Sequence, residues 1–231
     1  MGKKSSWRPS LKVKKLFIFV EGQTEEKFSK ELLLPYLRSK GIFLQPIIST
    51  TKVVKDGKNF KGGLGPYPKT KKELCNLLKD KSARAVSTML DYYGLPKSFP
   101  GRSNPEGQTC FDRAKFVEQS MLADLNDERF IPFLTLHEFE GLLFSSPADM
   151  AAGLPGGQNL EAQFKLIRQQ FESPEEINDQ PSTAPHQRIL NIYPTYQKPT
   201  FGVAIASRIG LEKIREQCPH FSGWLTTLEQ L

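Results

Sequence analysis

Cysteine and histidine are scarce in this chain of 231 residues, with only three of each. The cysteines are Cys75, Cys110 and Cys218, and the histidines are His137, His186 and His220. The cysteines are odd in number, lie far apart and form no Cys-x-x-Cys pair. Disulfide scaffolds and structural zinc sites need paired or clustered ligands, so the sequence argues against both.

Long apolar runs are also missing from the sequence. No run approaches the roughly 20 residues that span a bilayer. The basic beginning, residues 1–15, is not followed by a signal-like apolar segment with a cleavage site, so we expect a cytoplasmic protein that does not bind membranes. A Gly-x-x-x-x-Gly-Lys-Ser/Thr run is absent too, which argues against ATP binding of the P-loop type.

Positive charge is present in excess and is unevenly distributed. Residues 1–72 hold 17 Lys and Arg against 5 Asp and Glu, while the whole chain has a net charge of +7. A local positive field attracts polyanions, so nucleic acid, either DNA or RNA, is the expected partner. The alternative to nucleic-acid binding is a solvated basic surface with a flexible N-terminal arm.

A carboxylate directly follows, or closely follows, each of three short apolar runs. Such runs, rich in branched and aromatic residues, are typical of buried strands. In an open parallel sheet the carboxyl ends of the strands line one edge, where ligands bind. The three pairs are 16–20 with Glu21, 85–90 with Asp91, and 131–136 with Glu138.

The order of predicted elements favours an α/β fold with a central parallel sheet of about four strands flanked by helices. The predicted strands are 15–20, 42–48, 85–90 and 131–136, and the predicted helices between them are 25–40, 69–80 and 108–126. Helices at 139–144, 158–172, 202–217 and 221–230 are predicted to follow, with a polar stretch at 173–199. We therefore expect a basic arm (1–14), an α/β core (15–145) and a helical C-terminal extension packed on the core (146–231).

Converging carboxylates repel one another unless a cation compensates them, and carboxylate oxygens are the ligands that Mg²⁺ prefers. We predict a Mg²⁺ or Mn²⁺ site with Glu21, Asp91 and Glu138 as the catalytic residues. All three are candidate metal ligands, and Glu21 is alternatively a general base. Glu140 is a further candidate ligand. Glu25 and His137 are predicted to orient a ligand or a water molecule.

The run Val20-Glu21-Gly22-Gln23-Thr24-Glu25-Glu26 resembles the first motif of Toprim domains, the catalytic fold of topoisomerases, DnaG-type primases and OLD nucleases. The resemblance maps Glu21 onto the Toprim glutamate and Asp91 onto the first residue of the Asp-x-Asp motif. Tyr93 stands where the second aspartate would be, so Glu138 or Glu140 is the candidate replacement.

Further blocks are similar to a Toprim-like family of bacterial proteins described as a domain of unknown function. They are Asp91-Tyr92-Tyr93-Gly94-Leu95-Pro96, His137-Glu138-Phe139-Glu140-Gly141-Leu142-Leu143-Phe144, Ile177-Asn178-Asp179, Cys218-Pro219-His220-Phe221 and Trp224-Leu225. The resemblance implies a Toprim-like core and Mg²⁺ chemistry. Related proteins lie beside ATPases in anti-phage defence systems, so an ATPase partner is a further expectation.

A nuclease also needs cations that contact the nucleic-acid backbone. The candidates fall in two polar stretches of the sequence. They are Lys52, Lys55, Lys58 and Lys61 in a basic loop, and Arg188 and Lys198 near the C-terminus.

The leading hypothesis is a metal-dependent nuclease that acts on DNA or RNA. A phosphohydrolase acting on a nucleotide could use the same acidic edge. A non-catalytic Toprim-like module that binds nucleic acid or a partner protein is the third possibility, because the Asp-x-Asp motif is altered. Oligomeric state is not readable from the sequence.

Overall fold

A computed structural model describes residues 13–50, 64–178 and 181–231 of the chain. The predicted basic loop with Lys52, Lys55, Lys58 and Lys61 lies outside the described residues, as do the first twelve residues of the predicted arm.

In the described residues, five parallel strands form one sheet in the order β2-β1-β3-β4, and β5 pairs with β3 beyond the end of β4. The strands are β1 Lys14–Val20, β2 Ile42–Ile48, β3 Ala83–Asp91, β4 Phe130–Ile131 and β5 Leu134–Thr135. The predicted α/β class, with a parallel sheet flanked by helices and a mostly helical C-terminal part, is confirmed.

The predicted strand 131–136 is interrupted where Pro132 and Phe133 separate β4 from β5. Proline has no N–H to give to the neighbouring strand, so the ladder stops there. The Thr88 hydroxyl of β3 fills the gap, because it accepts from the Phe133 N–H at 2.8 Å and donates to the Phe133 carbonyl at 2.9 Å. The strand therefore continues along β3 as two short pieces.

Helices cover both faces of the sheet. The α-helices are α1 Gln23–Phe28, α2 Leu34–Ser39, α3 Tyr67–Leu78, α4 Cys110–Leu125, α5 Pro147–Ala152, α6 Glu161–Arg168, α7 Pro185–Ile192, α8 Val203–Ile209, α9 Leu211–Gln217 and α10 Pro219–Glu229. A π-helical turn, Ser29–Leu33, joins α1 to α2, and Pro35 lies in the first turn of α2. Pro35 therefore lies inside the helical segment without ending it.

Several helix predictions past the sheet differ from the structure. The predicted helix 202–217 breaks at Gly210, which has φ +81°, a left-handed conformation that favours glycine. The predicted helix at 139–144 is a 3-10 helix, Phe139–Ser145. α5 was not predicted, and α7 lies inside the stretch predicted to be only polar, because both helices are short.

Strand β1 divides its side chains between two apolar cores. Leu16, Ile18 and Val20 belong to the core that also contains residues of α1, α2 and the C-terminal helices. Phe17 and Phe19 belong to the core formed with α3 and α4. This alternation is the period of two of a strand that is buried on both faces. Among the described residues no helix combines the length and apolar character needed to cross a membrane.

The C-terminal helices are attached to the sheet by an aromatic stack. The Trp224 ring of α10 lies 4.3 Å from the Phe133 ring at an interplanar angle of 10°, and the His220 ring lies 5.2 Å from Phe133 on a tilted plane of 26°. The indole N–H of Trp224 donates to the Ser87 hydroxyl of β3 at 2.9 Å. The division of the chain into arm, core and extension stays a prediction.

Two buried carboxylates hold the beginning of α10. Glu175 accepts hydrogen bonds from the backbone N–H groups of His220 and Phe221 at 2.9 and 3.0 Å. Glu118 of α4 accepts from the Leu134 N–H and lies 2.9 Å from the His220 ring nitrogen Nε2. Burial alone would lower the pKa of His220, but the hydrogen bond to Glu118 and the charges of both carboxylates outweigh burial and raise it.

We expect the free energy of unfolding to depend on pH through His220. Its pKa is raised above the ordinary value of 6.5, so its stabilising contribution is complete below that pH and is lost as the pH rises through the folded-state pKa. Replacing His220 by Gln keeps a hydrogen-bond donor toward Glu118 and removes the titration. Urea unfolding of wild type and His220→Gln from about pH 5.5 to about pH 9 measures the effect. A stability difference that stays constant over this range would contradict the prediction.

Candidate functional site

The carboxyl ends of β1, β3 and β5 meet at one edge of the sheet, as the sequence predicts. Glu21 directly follows β1, Asp91 is the last residue of β3, and Glu138 comes three residues after the end of β5. Asp91 pairs in register with Thr135, which places the ends of β3 and β5 side by side. The parallel arrangement thus brings acidic side chains from three separate strands to the same region.

Asp91 is fixed in place by both of its carboxylate oxygens. Oδ1 accepts from the Thr135 hydroxyl at 2.6 Å and from the Phe139 backbone N–H at 3.1 Å. Oδ2 lies 3.3 Å from the ammonium of Lys198. The side chain is therefore oriented toward the C-terminal part of the chain, and it links β3 to the 3-10 helix that carries Glu140.

Lys198 lies at the centre of the acidic cluster. Its Nζ is 3.1 Å from Glu25 Oε1, 3.3 Å from Asp91 Oδ2 and 3.3 Å from Glu140 Oε2. The side chains of Glu25 and Glu140 are 5% and 1% exposed, whereas that of Lys198 is 25% exposed. Lys198, predicted to contact nucleic acid, therefore lies among the predicted metal ligands. It begins a π-helical turn, Lys198–Gly202, which leads into α8.

His186 contacts two of the predicted ligands, and the sequence analysis did not identify it. Its backbone N–H donates to Glu138 Oε2 at 3.0 Å, and its Nδ1 lies 3.1 Å from Glu140 Oε1. His137, which was predicted to have this role, is half-buried, and its carbonyl accepts from the Tyr93 N–H. The only local signal for His186 is its place after Pro185 at the beginning of a helix, where backbone N–H groups are available.

The environment of the cluster raises the pKa values of several of its carboxylates. Burial, followed by the charges of Asp91 and Glu25, raises the pKa of Glu21 to about 8. Burial also raises the pKa values of Glu25 and Glu138. Five acidic side chains thus share one region, and a nearby positive charge favours their ionised forms.

Glu140 and Lys198 differ from these carboxylates, because both are shifted toward their charged forms. Burial alone would raise the pKa of Glu140, but the charge of Lys198 and the hydrogen bond with His186 outweigh it and lower the pKa. Burial would lower the pKa of Lys198, but the charges of Asp91, Glu140 and Glu25 outweigh it, so the ammonium stays protonated. The hydrogen bond to Glu140, opposed by burial, raises the pKa of His186.

Several buried polar atoms of the cluster lack a hydrogen-bond partner in the described residues. They are Glu21 Oε2, Glu25 Oε1, Glu140 Oε2 and the Tyr196 hydroxyl. The oxygens of Glu25 and Glu140 are within ion-pair distance of Lys198, yet they are not aligned for a hydrogen bond with it. Buried oxygens without partners carry a free-energy cost that a bound cation or a proton removes.

These donors fit Mg²⁺ or Mn²⁺ in kind, because both ions take hard oxygen ligands. Their spacing in the described residues is different from that of a closed metal site, since no group of three or more Asp, Glu, His or Cys side chains is placed to hold a metal ion. Lys198 lies between these carboxylates, and its Nζ is 3.1–3.3 Å from oxygens of Glu25, Asp91 and Glu140. A Mg²⁺ ion needs them at about 2.1 Å.

Arg188, also predicted to contact nucleic acid, forms no ion pair with the acidic cluster in the described part of the chain. Arg188 donates to the Thr183 carbonyl at 2.6 Å and stacks over Phe171, on the same helix as His186. Tyr93 is 41% exposed beside Asp91, which leaves its ring open to a ligand. The four lysines of the basic loop lie outside the described residues.

Comparison with known proteins gives one structural likeness and one family. The C-terminal region of the Burkholderia pseudomallei OLD protein aligns with a TM-score of 0.42 and 16% sequence identity, over 93% of this chain and 96% of that chain. A likeness this loose carries no argument about chemistry. No curated protein matches the chain. A family model described as "Domain of unknown function (DUF4276)" matches residues 20–229, which is nearly the whole chain, and the protein belongs to this family.

Proposed function

We propose that this protein is a metal-dependent phosphodiesterase that cleaves nucleic acid at the acidic edge of its sheet. The observation that carries the proposal is that five carboxylates lie together with Lys198 and His186 at the carboxyl ends of parallel strands. A purely structural role needs far fewer buried acids, because each must be compensated. Perturbed acids gathered at a sheet edge are typical of functional sites.

Asp91, Glu140 and Glu25 are the side chains that would hold the metal ion. When bound, Mg²⁺ or Mn²⁺ supplies charge neutralisation for the phosphoryl group and a more acidic water. Asp91 is already oriented by Thr135 and Phe139, and Glu140 by His186, so little reorganisation of these two carboxylates is needed. Such fixed second contacts keep metal ligands in position.

Glu21 is the candidate for moving a proton. Its pKa of about 8 lies close to neutral pH, where a general acid or base works best. Its carboxylate lies at the end of β1, next to the turn that begins at Asp91, and one of its oxygens has no hydrogen-bond partner in the described residues. Glu138 is held by the His186 N–H and supports the same region.

Nucleic acid is the proposed substrate because of the charge on the chain. Residues 1–72 have 17 basic and 5 acidic residues, and they include the four lysines predicted to contact phosphates. A polyanion, which has many phosphates, gains more binding free energy from such a positive field than a single nucleotide does. The resemblance to Toprim nucleases adds the proposals of an ATPase partner and a role in anti-phage defence.

A non-catalytic binding module is the second candidate, and the position of Lys198 favours it. An ammonium already lies within ion-pair distance of three of the carboxylates, so the cluster has a counter-charge without a metal ion. A protein whose site had lost its chemistry would keep this internal ion pairing and still bind nucleic acid through its basic residues. Metal affinity separates the two candidates.

The test is cleavage of supercoiled plasmid, single-stranded DNA and tRNA with Mg²⁺ or Mn²⁺ and with EDTA. We expect cutting that needs the metal and that falls at least about 100-fold in Glu21→Gln, because general acid–base catalysis contributes about 10² to 10⁴-fold. Glu212→Gln, an exposed acid on α9, is the matched control and retains wild-type cutting. Absence of metal-dependent cutting on every substrate, with the fold intact, would favour the binding module.

A further inference from the structure

Lys198 has the position in the acidic cluster that a metal ion would need. Its ammonium lies within 3.3 Å of carboxylate oxygens from α1, from the end of β3 and from the 3-10 helix after β5. It also lies 5.8 Å from the centre of the Phe139 ring. No other described lysine or arginine forms ion pairs with more than one of these carboxylates. The cluster is thus organised around a cation that the protein itself provides.

The fit of this ammonium is incomplete. Charge-assisted hydrogen bonds between nitrogen and oxygen are about 2.7–2.9 Å long, and the three contacts of Lys198 are all longer. Glu25 Oε1 and Glu140 Oε2 are unaligned with its N–H groups and have no other hydrogen-bond partner in the described residues. A divalent ion, which has no directional N–H groups and carries twice the charge, would satisfy the same oxygens better.

A buried tyrosine is a second sign that this cluster is built for a ligand. Tyr196 is 4% exposed, and its hydroxyl has no hydrogen-bond partner in the described residues. The centre of the Tyr196 ring lies 5.6 Å from the centre of the His186 ring, so Tyr196 packs beside the cluster. A buried hydroxyl without a partner is costly, and a water or ligand bound in the cluster would relieve the cost.

We propose that Lys198 is an internal counter-ion that a divalent metal ion must displace before the site becomes active. The inference rests on the metal site of the proposed function and adds how that site is controlled. Without metal, Lys198 keeps the carboxylates compensated and the site closed. With metal, the ammonium leaves the carboxylates.

The chain allows this displacement without a change of fold. A lysine side chain has four rotatable bonds, and a quarter of the Lys198 side chain is already exposed, so a path to solvent exists. Lys198 also lies at the first position of a π-helical turn, and such turns are frequent at functional sites. The released ammonium remains near the sheet edge, where it can meet a phosphate of the substrate.

The metal ion and the Lys198 ammonium compete for the same carboxylates, so metal binding and the ion pairs of Lys198 are thermodynamically linked. In the wild type, part of the metal's binding free energy is used to remove Lys198 from its three partners. A variant that lacks the ammonium does not have this cost, but its metal-free form has buried carboxylates without compensation. Loss of the ammonium should therefore raise the affinity for metal and lower the stability of the metal-free protein.

The first experiment compares Lys198→Met with wild type by calorimetric titration of Mn²⁺ and by thermal melting, both without nucleic acid. We expect Lys198→Met to bind Mn²⁺ about tenfold more tightly, within the usual range of coupling between sites, and to melt at a lower temperature without metal. Lys165→Met, an exposed lysine on α6, is the control and leaves both values unchanged. Equal or weaker Mn²⁺ binding by Lys198→Met, or no binding by either protein, would overturn the inference.

The second experiment needs no variant and so does not depend on Lys198→Met folding. Wild-type protein is treated with an amine-acetylating reagent with and without Mn²⁺, and modification of each lysine is read by mass spectrometry. We expect Lys198 to be protected without metal and to become reactive with it, while Lys165 is modified equally in both. Metal-independent labelling of Lys198 would overturn the inference. A failure to cleave nucleic acid, with these results intact, would instead count against the proposed function alone.

Discussion

Replacing Asp91 by Asn is expected to reduce metal-dependent cleavage by more than about 100-fold while leaving the protein folded. Mutation of residues that only orient metal ligands already lowers metal affinity or activity by about 10–100-fold, and Asp91 is a proposed ligand itself. Asn has nearly the same shape as Asp, and its carbonyl oxygen can still accept from the Thr135 hydroxyl and the Phe139 N–H. What it lacks is the charge on Oδ2, the oxygen that faces Lys198 at 3.3 Å. An amide nitrogen there gives a metal ion no ligand.

The measurement is the initial rate of cleavage of the best substrate of the panel, at saturating Mg²⁺ or Mn²⁺. Circular dichroism and melting of Asp91→Asn establish that the fold is kept. Glu212→Gln again serves as a carboxylate-to-amide control on the surface. Cleavage by Asp91→Asn within a few fold of wild type would show that the metal, if it is needed, is held elsewhere.

The meeting of Glu21, Asp91 and Glu138 at one sheet edge could be predicted because it depends only on local pattern and on one rule of topology. Short apolar runs mark strands, and parallel strands end at the same edge. β2, Ile42–Ile48, agrees with its prediction at both ends, since it is a short apolar run that Gly41 precedes. The same logic placed Asp91 directly after the third predicted strand, and in the structure it is the last residue of β3.

The places of Lys198, His186 and Tyr196 could not be derived in this way. They come from a polar stretch without apolar periodicity, more than 45 residues after the last strand, and nothing in local spacing indicates which edge such a stretch will cover. Their contacts are fixed by the packing of α8 and the other C-terminal helices on the core that contains Ile18. Tertiary packing, not local propensity, therefore determines where these three residues lie.

Replacing Trp224 by Ala is expected to lower the free energy of unfolding by about 3–5 kcal/mol, the usual cost of removing a buried aromatic ring. The ring is 5% exposed, stacks on Phe133 at 4.3 Å and packs near Phe221 at 5.6 Å. Its N–H also donates to Ser87, a residue of the central strand β3. The substitution leaves a cavity between α10 and the sheet, where a neighbouring side chain can only partly relax.

Urea unfolding followed by fluorescence or circular dichroism measures the change, and the midpoint should fall while the slope stays the same if the compactness of both states is kept. Leu166→Ala is the matched control, because Leu166 is 64% exposed on α6 and its loss should change stability by no more than about 0.5 kcal/mol. A loss below about 1 kcal/mol in Trp224→Ala would mean that α10 does not depend on this stack. The C-terminal helices would then be held mainly by Glu175 and Glu118, whose hydrogen bonds to the first turn of α10 and to the edge strand remain in the variant.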